Sequence, residues 1–202
     1  SLRQAQCRRW PSPSRRRRCL WTFAGWTASV SGSARFSMER PIVRLLYVCS
    51  DFGIDPNGTK GASIHLRSIT RALCELGHEV SILSPKGRAL PGHPAKMLSS
   101  IGGGPAEAMG KLLKNWLIGH DLNDAPAREL RPLLYNAWAP TVALSALREN
   151  PPDAIIERLS LFGHVGLDLR EKLGVPLIVE MNAPLTEEAE TYRSLQLSGL
   201  AR

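Results

Sequence analysis

The chain lacks acid at its amino-terminal end and a surplus of base over the rest of its length. Eight arginines (Arg3, Arg8, Arg9, Arg15, Arg16, Arg17, Arg18 and Arg35) stand in residues 1–37 with no lysine, aspartate or glutamate. Of the 26 basic residues in the 202-residue chain this leaves 18, which balance all 18 acidic ones. The part able to form a core thus carries no excess charge for neutralising phosphates, which excludes a nucleic-acid-binding domain. No apolar run approaches the roughly 20 residues that cross a bilayer, so no transmembrane segment is expected, while peripheral contact with a membrane stays open. Cysteine is scarce. Cys7 and Cys19 fall in the basic arm, and Cys49 and Cys74 stand apart with no CxxC and no Cys/His cluster, which fits a reducing, cytoplasmic setting and a metal-free domain. GxGxxG and GxxxxGK[ST] are missing, which disfavours a nicotinamide or P-loop nucleotide site. HExxH and GxSxG are missing too, so hydrolase chemistry has no anchor.

What is present suffices for one domain, since 43% apolar residues in a chain of this length can bury one ordinary core. The domain is expected in residues 38–202. The arm of residues 1–37 has three readings. Arg-rich, Ser-containing and acid-free, it is like an organellar transit peptide; Arg15 to Arg18 followed by a fairly apolar stretch is like a poor signal peptide. The favoured third is upstream sequence translated by an over-extended gene model, because the first methionine, Met38, leads straight into a strand-like run. The arm is expected to be disordered or non-native.

Residues 42–48 (IVRLLYV) make the mostly apolar, β-branched and aromatic run of a strand buried on both faces. After a loop holding Gly53, Gly58 and Gly61, the residues Ala62, Leu66, Ile69, Leu73 and Leu76 recur at spacings of three and four, one face of a helix, with Gly77 as its terminator. Residues 79–84 read as a second strand. Residues 85–123 are irregular, with one weak helical segment near 107–118, and a helix is expected over 127–149, with a break near Pro140. Residues 154–157 read as a strand, Ser160 as the cap of a helix ended by Gly174, residues 176–180 as a further strand, and Thr186 as the opening of a last helix. Such alternation predicts an α/β fold, a Rossmann-like doubly wound parallel sheet.

Ligands of such sheets bind beyond the carboxyl ends of the strands, which singles out the residues there. The loop with Gly58 and Gly61 can bring backbone N–H groups to a phosphate or sugar at a helix start, Lys60 adds charge, and His65 lies one turn on. The plain alternatives are a glycine turn and a solvent-facing histidine. Glu157 and Arg158 are neighbours at a strand end, so at most one faces the crevice; both also suit ion pairs or helix caps. Asn182 can donate to and accept from a sugar hydroxyl, or simply form a turn.

Residues 45–48 (LLYV), 58–65 (GTKGASIH) and 69–80 (ITRALCELGHEV), followed by 152–163 (PDAIIERLSLFG) and 174–185 (GVPLIVEMNAPL), resemble the N-terminal domain of family 4 glycosyltransferases of the GT-B fold. The resemblance implies transfer of a sugar from a nucleotide-sugar to an acceptor small molecule or glycan, with retention of configuration and without a required metal or other cofactor. It implies further that Gly58 and Gly61 line the cleft, and that Asn182 and the Glu157-Arg158 pair stand where many members carry histidines. It also places the nucleotide-gripping half in a C-terminal domain beyond this chain, so the chain alone is expected to give no turnover. Two other readings are a stand-alone acceptor-binding or regulatory module and, more remotely, a Rossmann-type oxidoreductase.

Overall fold

The computed structural model describes residues 41–98, 102–193 and 195–197, so the basic arm of residues 1–37 lies outside the described residues. Five strands form one parallel sheet: β1 (Arg44–Cys49), β2 (Glu79–Leu83), β3 (Lys96–Met97), β4 (Ala154–Arg158) and β5 (Leu177–Glu180), in the order β3-β2-β1-β4-β5. Parallel neighbours require crossovers, and helices supply them. Between β1 and β2 runs α1 (Gly61–Glu75), and between β3 and β4 run α2 (Gly104–Gly119) and α3 (Ala125–Ala146). Between β4 and β5 runs α4 (Val165–Leu173), and α5 (Leu185–Tyr192) follows β5. This is the α/β, Rossmann-like doubly wound sheet that the alternation predicts. Its order reverses between β1 and β4, and the crevice at that switch point is where such sheets place ligands.

The central strand explains its own apolar run. Leu46 and Val48 point to the face packed by Tyr135, Ala139 and Ala143 of α3 and by Val165 and Leu169 of α4. Leu45, Tyr47 and Cys49 point to the other, packed by Leu66, Ile69 and Leu73 of α1. Each large side chain so buried contributes roughly 1.5–3 kcal/mol. Burial also pushes the Cys49 thiol up to about 12.

Three local differences from the sequence reading have physical causes. First, α3 runs through Pro132 and Pro140 without a break over 22 residues. A mid-helix proline costs roughly 3 kcal/mol, and the fully buried Tyr135, Ala139 and Ala143 offset it by packing on the sheet. Second, α4 starts at Val165 with His164 at its cap, not at Ser160, because Phe162 takes a positive φ of 63° that no helix tolerates. Third, β3 was invisible in the proline-rich stretch, being only two residues long. The two glycine terminators do match their role: Gly77 has φ +93° just beyond α1, and Gly174 caps α4 at φ +69°.

Candidate functional site

Strand register decides which side chains meet at the carboxyl ends. Cys49 of β1 pairs with Arg158 of β4, and Arg158 pairs with Glu180 of β5. Alternation then puts Tyr47, Arg158 and Glu180 on the face covered by α1, and Glu157 on the opposite face. Glu180 is the hub. Its Oε1 lies 2.9 Å from a guanidinium nitrogen of Arg158, 2.8 Å from Nε2 of His65 on α1, and 2.7 Å from the Asn182 amide nitrogen. Its Oε2 accepts the Tyr47 hydroxyl at 2.8 Å. Four elements or their ends thus converge on one carboxylate.

The electrostatics follow from that geometry. Partial burial pushes the Glu180 carboxyl upward, but the hydrogen bonds from Asn182 and Tyr47 and the charges of His65 and Arg158 outweigh it, so it ionises below the ordinary glutamate range. Tyr47, buried and donating to that carboxylate, is held well above the ordinary phenol range. The site is therefore a fixed anion surrounded by donors at the mouth of the crevice.

Glu157 belongs elsewhere. Buried at 3% exposure, it accepts the Gly166 backbone N–H at 3.1 Å on the far face, in the first turn of α4. A Cβ at Gly166 would lie only 2.7 Å from the Glu157 carboxylate, so only glycine lets helix and carboxylate approach this closely. Burial raises its pKa, meaning the charged form costs stability as pH rises above the unfolded value. Glu157→Gln keeps an acceptor for Gly166 and removes the buried charge. Its expected outcome is a melting temperature at neutral pH equal to or above wild type, with a flatter pH dependence through the acid range, as thermal unfolding across pH would show.

The glycine loop is a turn that leads into α1. Gly58 donates its N–H to the Asp55 carbonyl at 2.8 Å, and Arg67 of α1 holds the loop by donating to the Pro56 and Gly58 carbonyls at 2.6 and 2.7 Å. Lys60 is the exposed N-cap of α1 and makes no side-chain cap bond; Gly61, also exposed, is its first residue. Of the residues singled out in the sequence, the structure brings His65, Arg158 and Asn182 together around Glu180. It places Gly58, Lys60 and Gly61 at the foot of the helix that carries His65, and Glu157 apart.

A cleft of about 580 Å³ opens at the same carboxyl-terminal end of the sheet. Its walls are residues 50–53 after β1, the first two turns of α3, the β4–α4 loop at Ser160 to Phe162, and α5. An adjoining cavity of about 490 Å³ shares that loop and reaches Met181 and Ala183, the neighbours of Asn182. Asn136, fully buried on α3, shapes the shared wall: its side-chain nitrogen donates to the Phe162 carbonyl, and its oxygen accepts the His164 N–H at 3.2 Å.

Glu180, Tyr47 and Asn136 were not singled out in the sequence. Glu180 read as the end of a buried strand and Tyr47 as core, and only the register that pairs β4 with β5 reveals their meeting. Asn136 sits mid-helix, where the pattern gives no signal.

A parallel sheet with a polar crevice at its switch point defines the class of α/β domains that bind ligands beyond the carboxyl ends of their strands. Residues 59–199 match the family described as Glycosyltransferase Family 4, and the chain belongs to that family. No curated protein matches it. Among solved structures it is similar to the crystal structure of SsfS6, a glycosyltransferase of Streptomyces sp. SF2575, at 16% identity and a TM-score of 0.42. The likeness covers 68% of this chain, which spans 38% of the length of that one. No helix among the described residues is long and apolar enough to cross a membrane.

Proposed function

We propose that this domain is the acceptor-side half of a retaining GT-B glycosyltransferase that moves a sugar from a nucleotide-sugar to an acceptor small molecule or glycan without a divalent metal. The observation that carries the proposal is the polar cluster around Glu180 at the switch point, with an open cleft at the same end of the sheet, in a chain that belongs to a sugar-transferring family. A carboxylate ringed by amide, imidazole and guanidinium groups suits sugar hydroxyls, which both donate and accept. The cleft volume lies within the usual range for small-ligand sites, roughly 300–1,000 Å³.

Stabilising a leaving diphosphate needs cations aimed at it. Arg158 and His65 are instead committed to Glu180. On this reading the donor-gripping charge comes from a nucleotide-binding domain acting with this one, and the chain alone binds acceptor without consuming donor. Two assays on the isolated chain test this. On a glycan array it should show saturable, competable binding to a restricted set of sugars. With UDP-, GDP- and ADP-sugars it should release no nucleoside diphosphate above background. Diphosphate release would contradict the division of labour, and the absence of binding to any sugar would contradict the acceptor site.

A further inference from the structure

Among the described residues, three buried side-chain polar atoms have no hydrogen-bond partner: Ser50 Oγ, Arg131 Nε and Tyr135 Oη. Phe52 links two of them: the Arg131 guanidinium carbon sits 4.4 Å over its ring centroid, and the Tyr135 ring meets it edge-on at 5.5 Å and 82°. Ser50, Phe52 and Arg131 all line the 580 Å³ cleft, whereas the fully buried Tyr135, one turn further along α3, does not. Buried polar atoms are rarely left unpaired, and two of them on residues that line one cleft mark a place where a ligand completes the bonding.

The arrangement is held in place from behind. The Cβ, Cγ and Cδ of Arg131 lie 3.1–3.2 Å from where a Cβ on Gly110 would stand, so the arginine stem fills the notch a glycine leaves on α2. The carboxylates of the cleft are occupied elsewhere. Asp51 accepts the Gly53 N–H at 2.6 Å, and Glu129 accepts the backbone N–H groups of Gln196 and Leu197 at 2.7–3.1 Å. Arg128, also in the cleft, pairs with Asp124 at 3.4 Å. Arg131 has no carboxylate partner among the described residues, and its guanidinium lies over the face of Phe52.

An arginine N–H can only donate, and the Ser50 hydroxyl is free to donate as well. A ligand group that accepts from both and balances the charge is an oxyanion, whereas a neutral hydroxyl brings no countercharge. We infer that the acceptor carries a carboxylate or phosphate group, bound in this cleft by Arg131 with Ser50. The inference rests on the acceptor-site reading above and adds to it the chemical class of the acceptor.

Calorimetric titration of the chain with matched sugars tests it. The probes are glucose, mannose and galactose, each as the neutral methyl glycoside, the 6-phosphate and the uronate, with inorganic phosphate alone as a further arm. At least one acidic sugar should bind ten-fold or more tightly than its neutral partner and than inorganic phosphate. Arg131→Met, which keeps the stem against Gly110, should erase that preference by weakening the acidic sugar ten-fold or more. Ser50→Ala, which retains packing, should weaken the acidic sugar several-fold. Equal binding of acidic and neutral sugars, an unchanged preference in Arg131→Met, or inorganic phosphate binding as tightly as the sugar phosphate would overturn the inference and leave the acceptor site standing. Failure to bind any sugar, charged or neutral, would instead count against the acceptor site itself.

Discussion

Replacing Glu180 with alanine is expected to lower kcat of sugar transfer by the assembled enzyme about 100-fold, the scale on which small misplacements of a reacting group are felt, while the domain stays folded. Glu180 holds Arg158, His65, Asn182 and Tyr47 in one geometry through contacts of 2.7–2.9 Å. Without it the Arg158 side chain, 14% exposed, loses its carboxylate partner. Breaking a fully buried pair costs roughly 3–5 kcal/mol, and the partial exposure of this one brings the expected stability loss to about 2 kcal/mol. Glu180→Gln should preserve the shape and lose most of the rate, since it can no longer balance arginine and imidazole together.

The same carboxylate gives a pH signature with a definite sign. Its folded-state pKa is depressed, so its contribution is complete above the ordinary glutamate range and is lost as pH falls through the lowered value. Acid unfolding of the Glu180 variants should therefore be shallower than that of wild type. An acid limb that coincides with wild type would show that the cluster contributes nothing to folding.

Asn136→Ala is expected to cost the most stability of any polar substitution at the site. It strips the partners from the Phe162 carbonyl and the His164 N–H and frees a loop that holds Phe162 at φ 63°. Leaving the buried Phe162 carbonyl and the part-buried His164 N–H unsatisfied costs roughly 1–3 kcal/mol each in the worst case, so about 3 kcal/mol in total is expected. At roughly 2–4 °C per kcal/mol for a domain of this size, the melting temperature should fall by about 6–12 °C. Because the loop walls both cavities, acceptor affinity should fall with it. A loss below about 1 kcal/mol would mean that water replaces the amide at both groups.

The fold was legible because its signals are local. The apolar run around Leu45 to Val48, the spacing of Leu66, Ile69 and Leu73, and the glycines at 77 and 174 each state their role within a few residues. The exceptions are elements set by distant packing. Pro140 says "break" locally, and the sheet beneath α3 overrules it. The helix expected from Ser160 is displaced to Val165 because Asn136, from another helix, seizes the intervening loop.

The site was legible only in part, for the same reason. His65, Arg158 and Asn182 could be picked out as polar residues near strand and helix ends, but their common partner could not, because Glu180 is brought to Arg158 by strand register and to His65 by the way α1 packs. The adjacent pair Glu157 and Arg158 shows how alternation splits neighbours: one ends in the crevice, the other under α4. Ser50 carried only its place after the first strand, and Arg131 and Tyr135 no signal at all, since an unpartnered atom is a property of three-dimensional surroundings.

The most direct test of a sugar-binding crevice at the carboxyl ends of β1, β4 and β5 is amide chemical-shift mapping of the isolated chain, titrated with a glycan that scores on the array. Saturable shifts should gather at residues 50–53, at His65, at residues 158–164 and at residues 180–185, with the amino-terminal edge of the sheet near Arg44 and Asp153 undisturbed. Shifts centred on that opposite edge, or saturation without any change around Glu180 and the cleft, would contradict it.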